Sequence, residues 1–184
     1  MRRSTGTLEP EAADIEITPM RRRHVRGVMA IERQVYPRPW SQSLFLSEIR
    51  LGPSRVYLVA LAAGEVVGYG GMMWHGEECH ITTLAVDPEW RRRKVGSRVL
   101  HVLVVRAREL GADSISLEVR TANWPAQRMY GQFGFRPIGV RKGYYQETGE
   151  DALIMWVDEI RSAAYSRLLA RLTASIPRAS EDRA

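Results

Sequence analysis

The 184 residues are 45% hydrophobic and 26% charged, and no apolar run approaches the ~18 residues of a membrane span, so we expect one soluble cytoplasmic domain. The net charge of +6 and the pI near 9.9 favour anionic partners, but no basic motif interleaved with aromatic residues supports direct nucleic-acid binding. One cysteine excludes an internal disulfide and a cysteine-rich zinc site, and the four histidines lack metal-ligand spacing, so we predict no metal.

The first quarter of the chain is predicted to contain one strand and two helices. Residues 1–13 are polar and alanine-rich and are expected to form a disordered leader. Residues 15–17 alternate apolar and polar side chains, which is typical of a short strand. Thr18 can cap an amphipathic helix that has Pro19 at its first position, and Ser41 can cap a second, shorter helix.

Three strands and a long helix are predicted to follow. Residues 56–61, 66–74 and 80–86 are apolar or alternating runs separated by turn signals, which predicts an antiparallel meander. An Asp-Pro pair ends the third run, because proline cannot donate to a strand ladder. Apolar side chains then recur at helical spacing until the glycine at position 111.

The last part of the domain is predicted to complete a mixed sheet. Residues 114–119 form a strand after the long helix, and a strand–helix–strand crossover implies that this strand runs parallel to residues 80–86. Asn123 can cap a further helix. Residues 135–140 and 152–157 then predict a hairpin with a long loop.

The predicted fold class is α/β (α+β), with a mixed, mostly antiparallel sheet, one central parallel crossover, and helices on both faces. We expect the domain to cover residues 14–158, and residues 159–184 to form a C-terminal helix and a disordered tail. The crossover forces neighbouring strands apart near their ends, so we expect a cleft there, where ligands of α/β sheets bind.

A basic turn lies where this cleft is expected. Residues 91–94 are four successive cations, and the long helix begins directly after them. A helix start offers free backbone N–H groups and a partial positive charge, which suits a phosphate. The alternative is a solvated charge run at a helix entrance.

Two side chains near the cleft could carry acid–base chemistry. Glu118 lies between apolar neighbours of a strand, and we expect desolvation to raise its pKa, which would help it act as a base. Alternatively, Glu118 pairs with Arg120 or faces solvent. Tyr130 is either a packed aromatic of the next helix or a hydroxyl donor.

These motifs, in this order, resemble the GNAT acetyltransferase superfamily and, within it, the ribosomal-protein-alanine N-acetyltransferases. The similarity covers roughly residues 15–157. It rests on the strand that ends in Asp-Pro, the basic glycine turn, and several later motifs. Those motifs are residues 39–41 (Pro-Trp-Ser), 117–123 (Leu-Glu-Val-Arg-Thr-Ala-Asn), Tyr130 followed by Gly134-Phe135, 141–145 (Arg-Lys-Gly-Tyr-Tyr) and 150–155 (Glu-Asp-Ala-Leu-Ile-Met).

The resemblance implies that the co-substrate is acetyl-CoA. Backbone groups at the end of the third strand would hold the acetyl carbonyl and the pantetheine arm, and the basic turn would hold the pyrophosphate. The residues so assigned are Leu84, Ala85, Val86, Arg91, Arg92, Arg93, Lys94, Val95, Gly96, Ser97 and Asn123.

The resemblance also implies direct acetyl transfer to a protein N-terminal amine, in that family the terminal alanine of a small-subunit ribosomal protein. Glu118 would be the general base and Tyr130 the general acid. Three aromatic residues would shape the acceptor groove, although they could also be ordinary packed aromatics: Trp40, Tyr144 and Tyr145. Three acidic residues would lie near the groove and suit any cationic acceptor: Glu32, Glu77 and Glu78.

One departure from the family pattern keeps alternatives open. Lys94 occupies the position of the first turn glycine, and a positive φ there would strain a lysine and crowd the phosphate. We therefore expect a weaker or differently arranged acetyl-CoA site. The alternative functions are acetylation of a lysine side chain or a small-molecule amine, and a non-catalytic acyl-CoA-binding module.

Overall fold

The computed structural model describes residues 15–176. Within that range the chain forms seven strands and five α-helices. The strands are β1 (Ile15–Pro19), β2 (Arg55–Ala62), β3 (Glu65–His75), β4 (Glu78–Val86), β5 (Ser114–Arg120), β6 (Arg136–Tyr145) and β7 (Glu150–Val157). The helices are α1 (Val25–Val35), α2 (Gln42–Glu48), α3 (Val95–Glu109), α4 (Trp124–Gln132) and α5 (Ala163–Ser175). The predicted leader and most of the predicted tail lie outside the described residues.

The strands form one sheet in the order β1-β2-β3-β4-β5-β7-β6. Neighbouring strands are antiparallel except β4 and β5, which are parallel and are joined through α3. The C-terminal hairpin places its second strand, β7, beside β5. The predicted mixed α/β (α+β) sheet with one central crossover is confirmed.

The cleft arises because β4 and β5 pair over only part of their length. Their ladder runs from Glu78 opposite Ser114 to Ile81 opposite Leu117 and ends there. On its other side β4 stays paired with β3, but the register shifts at Thr82, where one extra residue forms a β-bulge. A bulge bends its strand, so β4 leaves β5 at this point and the two strands diverge.

Helices cover both faces of the sheet, as predicted. The buried side chains of α3 and α5 belong to one core, and those of α1 and α2 to a second. Successive side chains of a strand point to opposite faces, and β2 shows this directly. Leu58 and Ala60 belong to the first core, whereas Tyr57 and Val59 belong to the second.

Two glycines of β3 let α3 lie unusually close to the sheet. A Cβ on Gly70 would lie 2.7 Å from Val99 Cγ1, and a Cβ on Gly68 would lie 2.8 Å from Val95 Cγ1. Both distances are too short for real carbon atoms, so a side chain at either position would push the helix away. The close approach brings the start of α3 to the end of β4.

The C-terminal helix α5 packs on the domain itself. The Tyr165 hydroxyl donates to the Phe133 carbonyl at 2.8 Å, and an Arg108 guanidinium N–H donates to Ser166 Oγ at 2.6 Å. Thr173 Oγ1 lies 2.8 Å from His101 Nε2. None of the helices within residues 15–176 is long and apolar enough to cross a membrane.

The helix predicted to begin at Thr18 and Pro19 is wrong. Strand β1 continues through Pro19, which pairs with Leu58, and α1 begins at Val25 after one 3₁₀ turn. Proline is tolerated here because β1 is an edge strand, where a missing N–H donor leaves no ladder bond unmade. The predicted cap at Ser41 is confirmed, since Ser41 Oγ accepts from the Leu44 N–H.

Candidate active site

Residues 84–86 form one wall of the cleft. They lie beyond the bulge and pair with β3, but the β4–β5 ladder has already ended. Within the described chain, the edge that faces β5 therefore carries no strand pairing and is open to a ligand. The Tyr36 hydroxyl reaches this edge and donates to the Leu84 carbonyl at 3.1 Å.

The start of α3 stands at the mouth of the cleft. Lys94 is the N-cap residue of α3 and makes no side-chain capping bond. The first N–H groups of the helix, from Val95 to Ser97, have no acceptor within the helix. Gly96 lies between α4 and β4, where a Cβ would approach Met129 Sδ to 3.1 Å. Its role here is close packing of α3 against α4.

The basic turn adopts a strained backbone. Arg92 and Lys94 have φ values of 61° and 58°, in the left-handed region that non-glycine residues rarely adopt. The Arg93 guanidinium lies over the Trp90 ring, 5.0 Å from its centroid. The Lys94 ammonium donates to the Ser175 carbonyl at the end of α5, at 2.5 Å. The turn is thus tied to both its preceding 3₁₀ turn and the C-terminal helix.

We expect Lys94→Gly to bind acetyl-CoA more tightly than the wild type. Glycine removes a side chain where the backbone must approach phosphate, which should strengthen binding. It also adopts φ near 58° without strain, which should stabilise the folded protein by about 1 kcal/mol with or without ligand. Isothermal titration calorimetry measures the affinity. Lys94→Ala is the matched control, because it removes the ammonium but keeps the Cβ strain. Equal or weaker binding by the glycine variant would contradict this expectation.

Glu118 lies on β5 beside the cleft, and its side chain is 9% exposed. One carboxylate oxygen lies 3.1 Å from His80 Nε2, and the other lies 3.2 Å from an Arg141 guanidinium nitrogen. The hydrogen bond from His80, supported by the charges of His80 and Arg141, lowers the pKa of Glu118 and outweighs the opposing effect of burial. The expected rise in this pKa is therefore wrong. Arg120, the alternative partner, instead pairs with Glu147 and Glu150.

Tyr130 lies on α4 and is buried, with 6% of its surface exposed. Its ring packs against Phe135 at 5.7 Å between centroids. Within residues 15–176 its hydroxyl has no hydrogen-bond partner, which is uncommon for a buried tyrosine. Burial raises the pKa of this hydroxyl, and the nearby Tyr36 and Tyr145 raise it further. Tyr130 therefore keeps its proton at neutral pH.

The three aromatic groove candidates have different environments. Trp40 packs against Phe45 at 5.3 Å and is half-buried. Tyr145 lies under the Arg120 guanidinium, 3.9 Å from the ring centroid, and burial raises its pKa to about 12. Tyr144 is 43% exposed and crosses the Tyr145 ring edge to face at 5.1 Å. Tyr144 is thus the most accessible of the three.

Asn123 has a structural contact at the start of α4. Its side-chain oxygen accepts from the Ala126 N–H at 3.3 Å, as an N-cap does. The predicted cap is confirmed. The predicted contact of Asn123 with a pantetheine arm stays a prediction.

The three acidic residues expected near the groove have different positions. Glu32 is buried at 2% exposure, and its carboxylate accepts from the Trp40 N–H at 2.8 Å and from the Tyr69 hydroxyl. Glu77 lies in the turn before β4 and Glu78 begins that strand, so both lie at the opposite end of β4 from Leu84. Glu32 therefore lies beside Trp40, whereas Glu77 and Glu78 lie away from the end of β4 that forms the cleft.

Sequence reasoning missed Tyr36, His80 and Arg141. Each lies far along the chain from the group that it contacts. Period-2 alternation places Glu78 and His80 on one face of β4, and Ser116 and Glu118 on the same face of β5. That signal could have suggested His80 as the partner of Glu118, once parallel pairing was assumed.

Residues 25–135 match the Acetyltransferase (GNAT) family. The chain belongs to this family. It is an acetyltransferase, and residues 84–86, the start of α3, Glu118 and Tyr130 all lie within the matched region. A Bacillus subtilis relative, a putative ribosomal protein bS18-alanine N-acetyltransferase, is 39% identical over 138 residues, which are 75% of this chain and 91% of the relative.

Solved structures of acetyltransferases share the fold. The ribosomal-protein-S18-alanine N-acetyltransferase from Escherichia coli superposes with a TM-score of 0.72 at 25% identity, covering 79% of this chain and 94% of that one. A putative acetyltransferase from Salmonella typhimurium, solved with its cofactor acetyl-CoA, has a TM-score of 0.68 at 16% identity, covering 79% and 94%. Among residues 15–176, this GNAT acetyltransferase has no cluster of three or more His, Cys, Asp or Glu side chains placed to hold a metal ion.

Proposed function

We propose that this acetyltransferase transfers the acetyl group of acetyl-CoA to a protein N-terminal α-amine. The preferred acceptor is the N-terminal alanine of a small-subunit ribosomal protein, in the cytoplasm. The observation that carries the proposal is the open edge of β4 at residues 84–86. An uncapped helix start, which suits phosphate, follows that edge along the chain, and Glu118 and Tyr130, which would suit amine acetylation, lie on β5 and α4. The names of the Bacillus and Escherichia relatives support the acceptor.

Acetyl-CoA would bind across the mouth of the cleft. The backbone of Leu84, Ala85 and Val86 would hold the acetyl carbonyl and the pantetheine arm, and Asn123 would contact that arm. The pyrophosphate would meet the turn at residues 91–97, where free N–H groups and cations converge. Basic side chains of this turn add attraction for the phosphates from outside the cleft.

Transfer to the amine would be direct. The acceptor ammonium loses a proton to the Glu118 carboxylate, and the neutral amine attacks the thioester carbonyl. The N–C bond forms, the C–S bond breaks, and the Tyr130 hydroxyl gives its proton to the leaving thiolate. The second amine proton returns to Tyr130. Because the pKa of Glu118 is lowered and that of Tyr130 is raised, the two groups hold the required protonation states at neutral pH.

The acceptor would enter on the side of the sheet that carries Glu118. Trp40, Tyr144 and Tyr145 would line its path, and exposed Tyr144 would be the first that it meets. The Arg120 guanidinium packs on the Tyr145 ring and also pairs with Glu147, which links this ring to the β6–β7 loop. Aromatic side chains are common in the lining of ligand sites.

Mass spectrometry of peptides incubated with the protein and acetyl-CoA tests this proposal. The set contains an alanine-starting ribosomal N-terminal peptide and a lysine peptide with a blocked terminus, each with wild type and with Glu118→Gln. We expect acetylation of the free α-amine alone, reduced by Glu118→Gln. Transfer to lysine would overturn the α-amine assignment. Acetyl-CoA binding without any transfer would favour another acceptor or a non-catalytic binding module.

A further inference from the structure

The guanidinium of Arg141 pairs with the carboxylate of Glu118. Arg141 lies on β6, and one of its guanidinium nitrogens is 3.2 Å from Glu118 Oε1. The Arg141 side chain is 55% exposed, whereas that of Glu118 is 9% exposed. The guanidinium also lies over the Tyr144 ring, 5.7 Å from the ring centroid. A largely exposed cation is therefore paired with a nearly buried base.

The other partner of the carboxylate is held more firmly. His80 Nε2 lies 3.1 Å from Glu118 Oε2, and the His80 side chain is 23% exposed. His80 Nδ1 lies 2.9 Å from Ser116 Oγ, and the Ser116 hydroxyl donates to Glu78 Oε1 at 2.7 Å. Moving His80 would disturb this series of hydrogen bonds, whereas moving Arg141 would break a partly exposed ion pair and a ring contact. Arg141 is therefore the partner that can leave Glu118 at the lower cost.

An acceptor ammonium competes with Arg141 for the same carboxylate oxygen. A general base must lie within about 3.2 Å of the atom that gives up the proton, or one water away. An ammonium at that distance from Glu118 Oε1 would stand beside the guanidinium, and two like charges that close together repel each other. With 9% of its side chain exposed, Glu118 offers an acceptor little other surface.

We propose that the Arg141 guanidinium occupies the place of the acceptor ammonium in the free enzyme and leaves Glu118 when the acceptor binds. The inference rests on the proposed acetylation of an amine, and it names the residue that controls access to the base. The acceptor's α-ammonium takes the place of the guanidinium at Oε1, so one cation replaces another. The displaced guanidinium keeps the Tyr144 ring as a neighbour.

The exchange distinguishes the acceptor from the product by charge. A free N-terminal ammonium can replace a guanidinium at a carboxylate. An acetylated terminus is a neutral amide and cannot. Once Glu118 has lost the acquired proton to solvent, Arg141 can pair with it again, which favours release of the product. Arg141 is thus a specificity-determining residue that acts through the base.

Steady-state kinetics of Arg141→Gln with an alanine-starting peptide test the exchange in the full-length protein. Removal of the competing cation should lower the KM for the peptide about two- to fivefold, because a partly exposed ion pair no longer has to be broken. The KM for acetyl-CoA should not change. Lys142→Gln is the matched control, because Lys142 is the next residue of β6 and its ammonium pairs with Asp151 at 2.8 Å. This variant removes the same charge but leaves the Arg141–Glu118 pair in place, so its KM for the peptide should match the wild type.

The pH dependence separates an exchange from a fixed electrostatic role. The charged and titratable groups that face Glu118 are His80 on β4 and Arg141, Tyr144 and Tyr145 on β6. His80 and, with it, Arg141 lower the pKa of Glu118 in the free enzyme. The acidic limb of kcat/KM, which reports the free enzyme, should therefore move to higher pH in Arg141→Gln. The acidic limb of kcat reports the acceptor complex, which the guanidinium has left, and should not move.

The exchange would be overturned by an unchanged peptide KM in Arg141→Gln, by an equal fall in Lys142→Gln, or by a kcat/KM limb that does not move. A shift of both limbs would show that Arg141 stays at Glu118 and would also overturn it. Wild-type acetylation of the peptide and its sensitivity to Glu118→Gln are measured in parallel. A wild type without amine acetylation would overturn the proposed function and the exchange together. An active, sensitive wild type with an unchanged peptide KM in Arg141→Gln would overturn the exchange alone.

Discussion

Tyr130→Phe is expected to lower kcat by about 10²–10⁴-fold, the range for a lost general acid, with the KM for acetyl-CoA nearly unchanged. The phenylalanine ring keeps the contact with Phe135, so the packing of α4 is retained. The hydroxyl that is removed has no hydrogen-bond partner within residues 15–176, so the fold loses no such bond there. The variant loses the proton donor for the leaving thiolate, so the chemical step slows and kcat falls.

Tyr165→Phe is the matched control for this variant. Tyr165 is also buried, and its hydroxyl donates to the Phe133 carbonyl at 2.8 Å. Its removal should cost about 0.5–1.5 kcal/mol of unfolding free energy, the usual value of one hydrogen bond, and leave kcat intact. Steady-state kinetics and chemical denaturation of both variants give the comparison. A Tyr130→Phe enzyme with wild-type kcat would remove Tyr130 from the mechanism.

The order and type of most elements could be predicted because they depend on local patterns. Alternation of apolar and polar residues predicted the strands, and helical spacing of apolar residues predicted α3. Ser41 and Asn123 predicted two helix starts, which the structure confirms. The crossover rule then gave parallel pairing of β4 and β5 and a cleft at their ends. Pro19 misled the local analysis, because whether a proline begins a helix or ends an edge strand depends on the strand beside it.

The electrostatic environment of the candidate base could not be predicted in this way. The pKa of Glu118 depends on His80, which lies on β4, and on Arg141, which lies on β6. Strand periodicity places His80 and Glu118 on one face once parallel pairing is assumed, but it does not give the register that makes them neighbours, and it gives no sign of Arg141. The bulge at Thr82 likewise cannot be predicted from the alternation of residues in β4, although the two strands diverge at that point.

The burial of Glu32 could have been predicted from the sequence. It follows Val28 by four residues and Val25 by seven, which places it on the apolar stripe of α1. A carboxylate on such a stripe is expected to be buried and hydrogen-bonded. The structure shows that environment, with Trp40 and Tyr69 as donors.

Glu32→Gln is expected to change how stability depends on pH. Burial raises the pKa of Glu32 from 4.5 to about 6, against the opposing effect of the Trp40 hydrogen bond. The folded state therefore binds the proton more tightly than the unfolded state does. Stability contributed by this proton is fully present below pH 4.5 and is lost as the pH rises through about 6. At ~1.36 kcal/mol per pH unit, the loss is about 2 kcal/mol.

Denaturation of the wild type and Glu32→Gln across about pH 3.5–7.5 measures this effect, since the other titrating groups are common to both proteins and largely cancel. Glutamine has the same shape and does not ionise, so the variant should gain about 2 kcal/mol relative to the wild type between low and neutral pH. Glu118→Gln is the control, because Glu118 should change the pH dependence of stability in the opposite direction. The lowered pKa of Glu118 means that its contribution is present above pH 4.5 and is lost as the pH falls through the folded value. Parallel curves for Glu32→Gln and the wild type would show that Glu32 titrates alike in both states. The Trp40 N–H would then donate to a carboxylate whose pKa folding does not change.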